Sequence, residues 1–253
     1  GIAKCIGALM ENARPIDLNF DVDIEQFQKS KGIDLHEAQI NAVKNCVKYG
    51  VNVITGGPGT GKTTIINCII TLLKKQGRKV VLCAPTGRAS KRLGEATGED
   101  AKTIHRLLDL DFTGGKGHFN YNEDTRLAAD VVIVDEVSMC DEYVFYALVR
   151  SIKKGGRLIL VGDKDQLPSV GAGNVLADII SCDMIPINYL TRIYRQSDES
   201  LIIENAHKVN SGVMPTLDNK SKDFFFDSQT DTSVMLSNVI NLTVKRLPSF
   251  AGI

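Results

Sequence analysis

Gly56-Gly57-Pro58-Gly59-Thr60-Gly61-Lys62-Thr63 is the stretch on which the reading of this chain turns. It fits the pattern G-x-x-x-x-G-K-[ST], which has mechanical content only between a strand and a helix. Both neighbours qualify. Residues 51–55 are a short apolar run that reads as a strand. Residues 63–75 recur at helical spacing and are apolar nearly all round, as in a buried helix. Glycines let backbone N–H groups curl around phosphate oxygens, and the helix N-terminus adds partial positive charge. The pattern assigns Gly57, Pro58, Gly59, Thr60, Gly61, Lys62, Thr63 and Thr64 to a nucleoside triphosphate. Lys62 is the cation for the β- and γ-phosphates, and the Thr63 hydroxyl is a ligand for Mg²⁺.

Working outward, strands and helices alternate. Strands are expected at 79–84, 131–135, 157–162 and 185–190. Helices are expected at 87–96, about 141–153 and about 173–181, with another from Asp34, which can cap it. Continuous β-branched runs separated by helices mean an α/β fold, with a parallel sheet covered on both faces. Residues 110–127 break the rhythm: Gly114, Gly115 and Gly117 lie between Phe112 and the Phe119/Tyr121 pair. They read as a glycine-turn hairpin or, equally, a surface loop. Residues 1–33 read as the tail of a preceding region plus a linker. Helices near 199–210 and 233–246 with a short aromatic strand at 224–226 read as the start of a second, partial α/β domain.

The balance of 30 basic and 30 acidic residues neither requires nor excludes a polyanion partner, because a local stripe suffices. The six cysteines are dispersed, with no C-x-x-C pair. In a chain this long that points to reduced, mostly buried thiols in a cytoplasmic setting rather than to a disulfide framework or a zinc site. No apolar run is long enough to span a membrane.

The residues that carry chemistry cluster at strand ends. Val131-Val132-Ile133-Val134 runs into Asp135-Glu136, which places two carboxylates beside the phosphate loop if the strands are parallel. Asp135 suits the metal and Glu136 the attacking water. A second strand end, Gly162-Asp163-Lys164-Asp165-Gln166, offers Gln166 as a neutral group able to bond both a γ-phosphate and a water. Arg192 and Arg195 follow the last core strand, where a guanidinium could reach a γ-phosphate or simply form a surface ion pair. Arg88, Lys91 and Arg92 share one helix face, either a phosphate-binding stripe or an ordinary solvated surface. On its own, Gln39 reads as a surface amide.

Taken together these strings resemble superfamily 1 helicases. They are Leu35-x-x-x-Gln39, the loop at 56–64, Ala84-Pro85-Thr86-Gly87-Arg88-Ala89, Thr103-Ile104-His105-Arg106, Val134-Asp135-Glu136-x-Ser138-Met139, Gly162-Asp163-x-x-Gln166-Leu167-Pro168, and Leu190-Thr191-x-x-x-Arg195-Gln196. The detail is similar to the RecD-type branch, which includes the exodeoxyribonuclease V alpha subunit and stand-alone RecD-like helicases. The resemblance implies a RecA-like motor domain at 34–190, with a duplex-splitting β-hairpin insert at about 109–128 and an incomplete second motor domain at 191–253. It implies ATP and Mg²⁺ as cofactors and single-stranded DNA or a single/double-strand junction as partner. It also implies 5′ to 3′ movement and possible partner subunits of a recombination nuclease. By position, Lys62, Glu136, Gln166 and Arg195 become catalytic, Thr63 and Asp135 metal-binding, and Gln39 an adenine reader. Pro85, Thr86, Gly87, Arg88, Thr103 and His105 become the DNA track. A nucleotide-gated DNA-binding switch and a relaxase-associated helicase domain share these motifs. The later motifs of the second motor domain do not follow, so the expectation for the segment is nucleotide binding with weak hydrolysis and no unwinding.

Overall fold

The computed structural model describes residues 1–14, 16, 20–113, 117–192 and 200–251. They fall into two units, Gly1–Arg195 and Gln196–Ile253. The first unit contains, in chain order, α1 (Ile2–Asn12), α2 (Phe20–Lys31), α3 (Glu37–Lys48), β1 (Val51–Gly56), α4 (Lys62–Lys75), β2 (Val80–Ala84), α5 (Gly87–Thr97) and β3 (Ala101–Thr103). There follow α6 (Ile104–Leu107), β4 (Leu110–Asp111), β5 (His118–Phe119), β6 (Val131–Val134), α7 (Glu142–Ser151), β7 (Arg157–Gly162), α8 (Val175–Ser181) and β8 (Ile187–Leu190).

Six strands pair in parallel in the order β3-β2-β6-β7-β1-β8. Strand side chains alternate between faces, so a continuous apolar run demands a cover on each. Val132 and Val134 of β6, with Leu158 and Leu160 of β7, join one core layer with α1, α6, α7 and α8. Val131, Ile133, Ile159 and Val161 join the other with α2, α3, α4 and α5. Because the strands are parallel, all their carboxyl ends lie on one edge. The loops after β1, β2, β3, β6 and β7 therefore share one rim.

Several local expectations are corrected. The cap of α3 is His36, not Asp34: its ring nitrogen accepts from the Ala38 N–H, while the Gln39 side-chain oxygen accepts from the His36 N–H at 3.0 Å. This reciprocal capping box moves the helix start two residues along. Residues 1–33 contribute two helices that pack on the core. Ile6 and Leu9 of α1 are buried in one layer, Ile24 and Phe27 of α2 in the other, and burial of each such side chain contributes about 1.5–3 kcal/mol. The edge strand β3 is missing from the sequence reading, because three half-buried residues carry no periodic signal. Strands β4 and β5 do form an antiparallel pair, Leu110 opposite Phe119 and Asp111 opposite His118. Gly114 and Gly115 lie outside the described residues. Phe119 is buried and stacks at a tilt on His105 and Tyr143, which pins the hairpin base to α6 and α7.

The second unit holds α9 (Leu201–Asn210), α10 (Thr232–Asn241), a π-helical turn (Leu242–Arg246) and α11 (Leu247–Ala251). The strand expected at 224–226 does not form. That segment is irregular and finds no strand partner among the described residues.

Candidate nucleotide and DNA site

The phosphate loop joins the buried end of β1 to the first turn of α4. Gly59 and Gly61 sit at φ +80° and +86°, left-handed conformations that side chains rarely adopt. Gly56 is required for a different reason. A Cβ there would lie 2.6 Å from the Leu190 carbonyl oxygen on the neighbouring strand β8. The Thr60 hydroxyl donates to the Gly57 carbonyl at 2.9 Å and ties the loop across its base. The Lys62 ammonium folds back over the loop, donating to the carbonyls of Gly56 at 2.6 Å and Gly57 at 3.0 Å. Its charge therefore sits inside the cradle on exchangeable partners.

Asp135 and Glu136 follow β6 on the same rim. Burial, then the like charge of Glu136, pushes the Asp135 carboxyl up to about 6, although the Glu136 N–H, Lys62 and Arg92 each pull it down. Lys62 is thus in electrostatic reach of Asp135 across the one intervening strand, β7. Glu136 is held at φ +53°, and its Oε2 is buried with no hydrogen-bond partner. A strained, non-glycine residue with an orphaned carboxylate oxygen is unfavourable unless something else uses it. The raised value has a stability consequence. The folded protein holds the Asp135 proton more tightly than the unfolded chain does. The group's stabilising contribution is therefore full below its ordinary value of 3.8 and lost as pH rises through about 6. Without nucleotide, Asp135→Asn is expected to be more stable than the wild type by on the order of 2–3 kcal/mol near about pH 8. The gain should vanish near about pH 4. Urea titrations at the two pH values check this, and an equal effect at both would refute the burial argument.

The loop after β7 is tied to the same place, because the Lys164 N–H donates to the Thr55 hydroxyl oxygen at 3.0 Å, one residue before the phosphate loop. Thr55 has no signal in the sequence, where it is one more β-branched strand residue. Gln166 is exposed on this loop, its N–H donating to the buried Asp163 carbonyl. Gln39 is buried, not on the surface. One side-chain N–H donates to the Thr60 carbonyl at 3.1 Å, so the amide braces the phosphate loop from behind. Arg195 lies outside the described residues.

The motifs at 85–88 and 103–105 come together through strand register: Ala84 of β2 pairs with Thr103 of β3, so the residues following each strand are neighbours. Thr86 and Thr103 are N-caps, their hydroxyl oxygens accepting from the Ala89 and Arg106 N–H groups at 3.2 and 3.1 Å. Arg88 is exposed at the start of α5. Its two companions are engaged elsewhere. Lys91 pairs with Glu95 at 3.8 Å, and Arg92 reaches Glu136 at 3.9 Å. The first is a long, exposed pair that adds little stability, and the second is long, with an exposed guanidinium over a largely buried carboxylate. The second still links the middle of α5 to the acidic pair.

A phosphate loop, an acidic strand end and a polar third loop on one rim of a doubly covered parallel sheet define a RecA-like P-loop nucleotide-binding core. Residues 39–172 match the family described as an AAA domain, more than half of the chain. The chain belongs to that family, and within it to the RecD-type branch of superfamily 1 helicases. It is 40% identical over 186 residues to the ATP-dependent RecD2 DNA helicase of Deinococcus radiodurans, a match covering 74% of this chain and 25% of that protein. It is 39% identical over 167 residues to the RecBCD enzyme subunit RecD of Mycolicibacterium smegmatis, covering 57% and 30%. The structure resembles Pif1 helicase from Candida albicans, with a TM-score of 0.52 at 26% identity, over 72% of this chain and 45% of that one. The chain thus spans about a quarter to a third of the length of these curated relatives. No helix among the described residues is long and apolar enough to cross a membrane.

Proposed function

We propose that this chain is the first motor domain of an ATP-dependent DNA helicase, binding MgATP on the rim at Lys62, Asp135 and Glu136 and single-stranded DNA across 85–88 and 103–105. The observation that carries the reading is that the Lys62 loop after β1 and the Asp135/Glu136 pair after β6 lie on the same carboxyl-end rim of the parallel sheet. The residues fit the ligand. The loop needs glycine at 56, 59 and 61, and the acidic pair keeps a buried Glu136 Oε2 without a hydrogen-bond partner. Mg²⁺ keeps most of its waters and takes few protein ligands, as a Thr63/Asp135 pair would provide.

Bound MgATP supplies the phosphoanhydride bond and the divalent charge. Lys62 leaves the Gly56 and Gly57 carbonyls for phosphate oxygens, while the loop amides donate from the helix tip. Thr63 and Asp135 are the residues that would hold the cation. Glu136, kept in one conformation by its cramped backbone, accepts a proton from the attacking water. Gln166 stands on a loop fastened to Thr55 and so registers the γ-phosphate, and Arg195 completes the charge stabilisation. Gln39 keeps a second side-chain N–H for an adenine edge. The relatives' names, an ATP-dependent DNA helicase and a subunit of the RecBCD enzyme, support DNA as substrate and association with partner subunits. The 5′ to 3′ movement, a place in repair or recombination and a cytoplasmic setting are the parts of this reading that rest on the motif resemblance. The hairpin of β4 and β5 is the element that would part a duplex.

Arg88 tests the DNA path. Arg88→Ala is expected to weaken binding of a labelled single-stranded oligonucleotide about three- to tenfold at low salt. It should also lower the slope of log affinity against log salt by about 0.7, one phosphate contact. Nucleotide binding should be unchanged. Unaltered oligonucleotide affinity and slope would place the strand somewhere other than over α5.

A further inference from the structure

The opposite edge of the sheet, where β6 and β7 begin, carries a cavity of ≈ 530 Å³. Arg14, Arg78, Lys153, Lys154 and Arg157 line it, against a single carboxylate, Asp130. That carboxylate is already used: it accepts from the Lys153 ammonium and from the Lys79 N–H, both at 2.7 Å, and these contacts hold it below the ordinary carboxylate range. Arg157 is 3% exposed, yet no carboxylate among the described residues meets it. Its guanidinium donates only to backbone carbonyls, those of Tyr49 at 2.6 Å and of Arg14. Arg78 faces it with a like charge.

Helix C-termini attract cations, and α1, α4 and α7 all end near this edge. That accounts for exposed cations singly. It does not account for their convergence on one cavity, nor for a buried guanidinium that meets no counter-charge among the described residues, since buried charges are ordinarily paired. In a chain whose total charge is zero, the local excess is a property of this place and not of composition.

We propose that this cavity is a second nucleic-acid contact, taking backbone phosphates of a strand or duplex arm on the face of the domain remote from the nucleotide loop. Guanidinium groups match phosphate oxygens in bidentate geometry, and the volume suits a nucleotide-sized group. Strands β6 and β7 run from this edge to Asp135 and Gly162 on the far rim, so the contact is separate from the rim at 85–88 and 103–105. A strand could be held at both faces at once, which raises the apparent affinity without any new contact at the motor rim.

The test uses the 253-residue chain and a short labelled single-stranded oligonucleotide, followed by anisotropy over a range of salt. Arg78 and Lys154 are exposed, so the double variant R78E/K154E keeps the fold, checked by an unchanged unfolding midpoint and unchanged nucleotide binding. It is expected to bind the oligonucleotide at least about tenfold more weakly and to lower the salt slope by about 1.4, two phosphate contacts. Acetylation of Lys153 and Lys154 in the wild-type chain, read by mass spectrometry, should be slowed by the oligonucleotide, and equally so in Lys62→Ala. Wild-type affinity and slope in R78E/K154E, or no protection of the two lysines, overturns the proposal. So does competition by polyglutamate as effective as by unlabelled oligonucleotide, which would make the occupant an acidic polypeptide.

Discussion

Lys62→Ala should bind ATP roughly ten- to a hundredfold more weakly than the wild type while unfolding at nearly the same temperature. The lysine makes charge-assisted bonds to phosphate when the ligand is bound, each contributing about 1.5–3 kcal/mol. In the structure described here the same ammonium donates only to two loop carbonyls at the surface end of α4, so its removal leaves both core layers intact. The two readouts separate a ligand contact from a structural one. Titration with a fluorescent ATP analogue gives the affinity, and a thermal melt without ligand gives the stability. Wild-type affinity in Lys62→Ala would remove the phosphate loop from the account. A large drop in melting temperature would mean that the lysine holds the loop rather than the ligand.

Glu136→Gln should do the reverse, leaving ATP affinity within about threefold but slowing hydrolysis by about 10²–10⁴. The amide keeps the shape and the strained backbone of Glu136 but cannot take a proton. The glutamate lies at φ +53° with one carboxylate oxygen buried and unbonded, so its burial has no structural benefit that the substitution would lose. Stability should therefore hold or rise. The assay is ATP turnover with saturating single-stranded DNA, with the Lys62→Ala chain as the blank. Normal turnover in Glu136→Gln would transfer the base role to another group. Weakened binding with normal turnover per bound ATP would make Glu136 a ligand of the nucleotide instead.

The two substitutions work through different physics, and that difference mirrors how each residue was found. Lys62 is legible from its own neighbours: glycines at fixed spacing, a strand before and a helix after. Asp135 and Glu136 are legible only as two acids ending an apolar run. Their relation to Lys62 depends on strand order, and the sheet places β7 between β6 and β1. The DNA motifs behave likewise. Thr86 and Thr103 each look like isolated loop hydroxyls until the pairing of Ala84 with Thr103 makes them neighbours. Arg92 looked like one of three equivalent cations on a helix face, and only the packing of α5 turns it toward Glu136.

Periodicity and a fixed-spacing glycine loop were enough, from the chain alone, for the parallel α/β sheet, its doubly covered faces and the nucleotide loop, while the family likeness rests on the whole set of motif strings from Leu35 to Gln196. These are local properties: side-chain alternation, helix spacing and backbone freedom act over a few residues. Contacts between distant segments decided the rest. The burial of Gln39 against Thr60, the packing of α1 and α2 into the core, the fastening of the third loop to Thr55 and the convergence of five cations on the far edge all join positions some twenty to more than a hundred residues apart. No local rule encodes such distances, because they follow from strand order and from which helix covers which face.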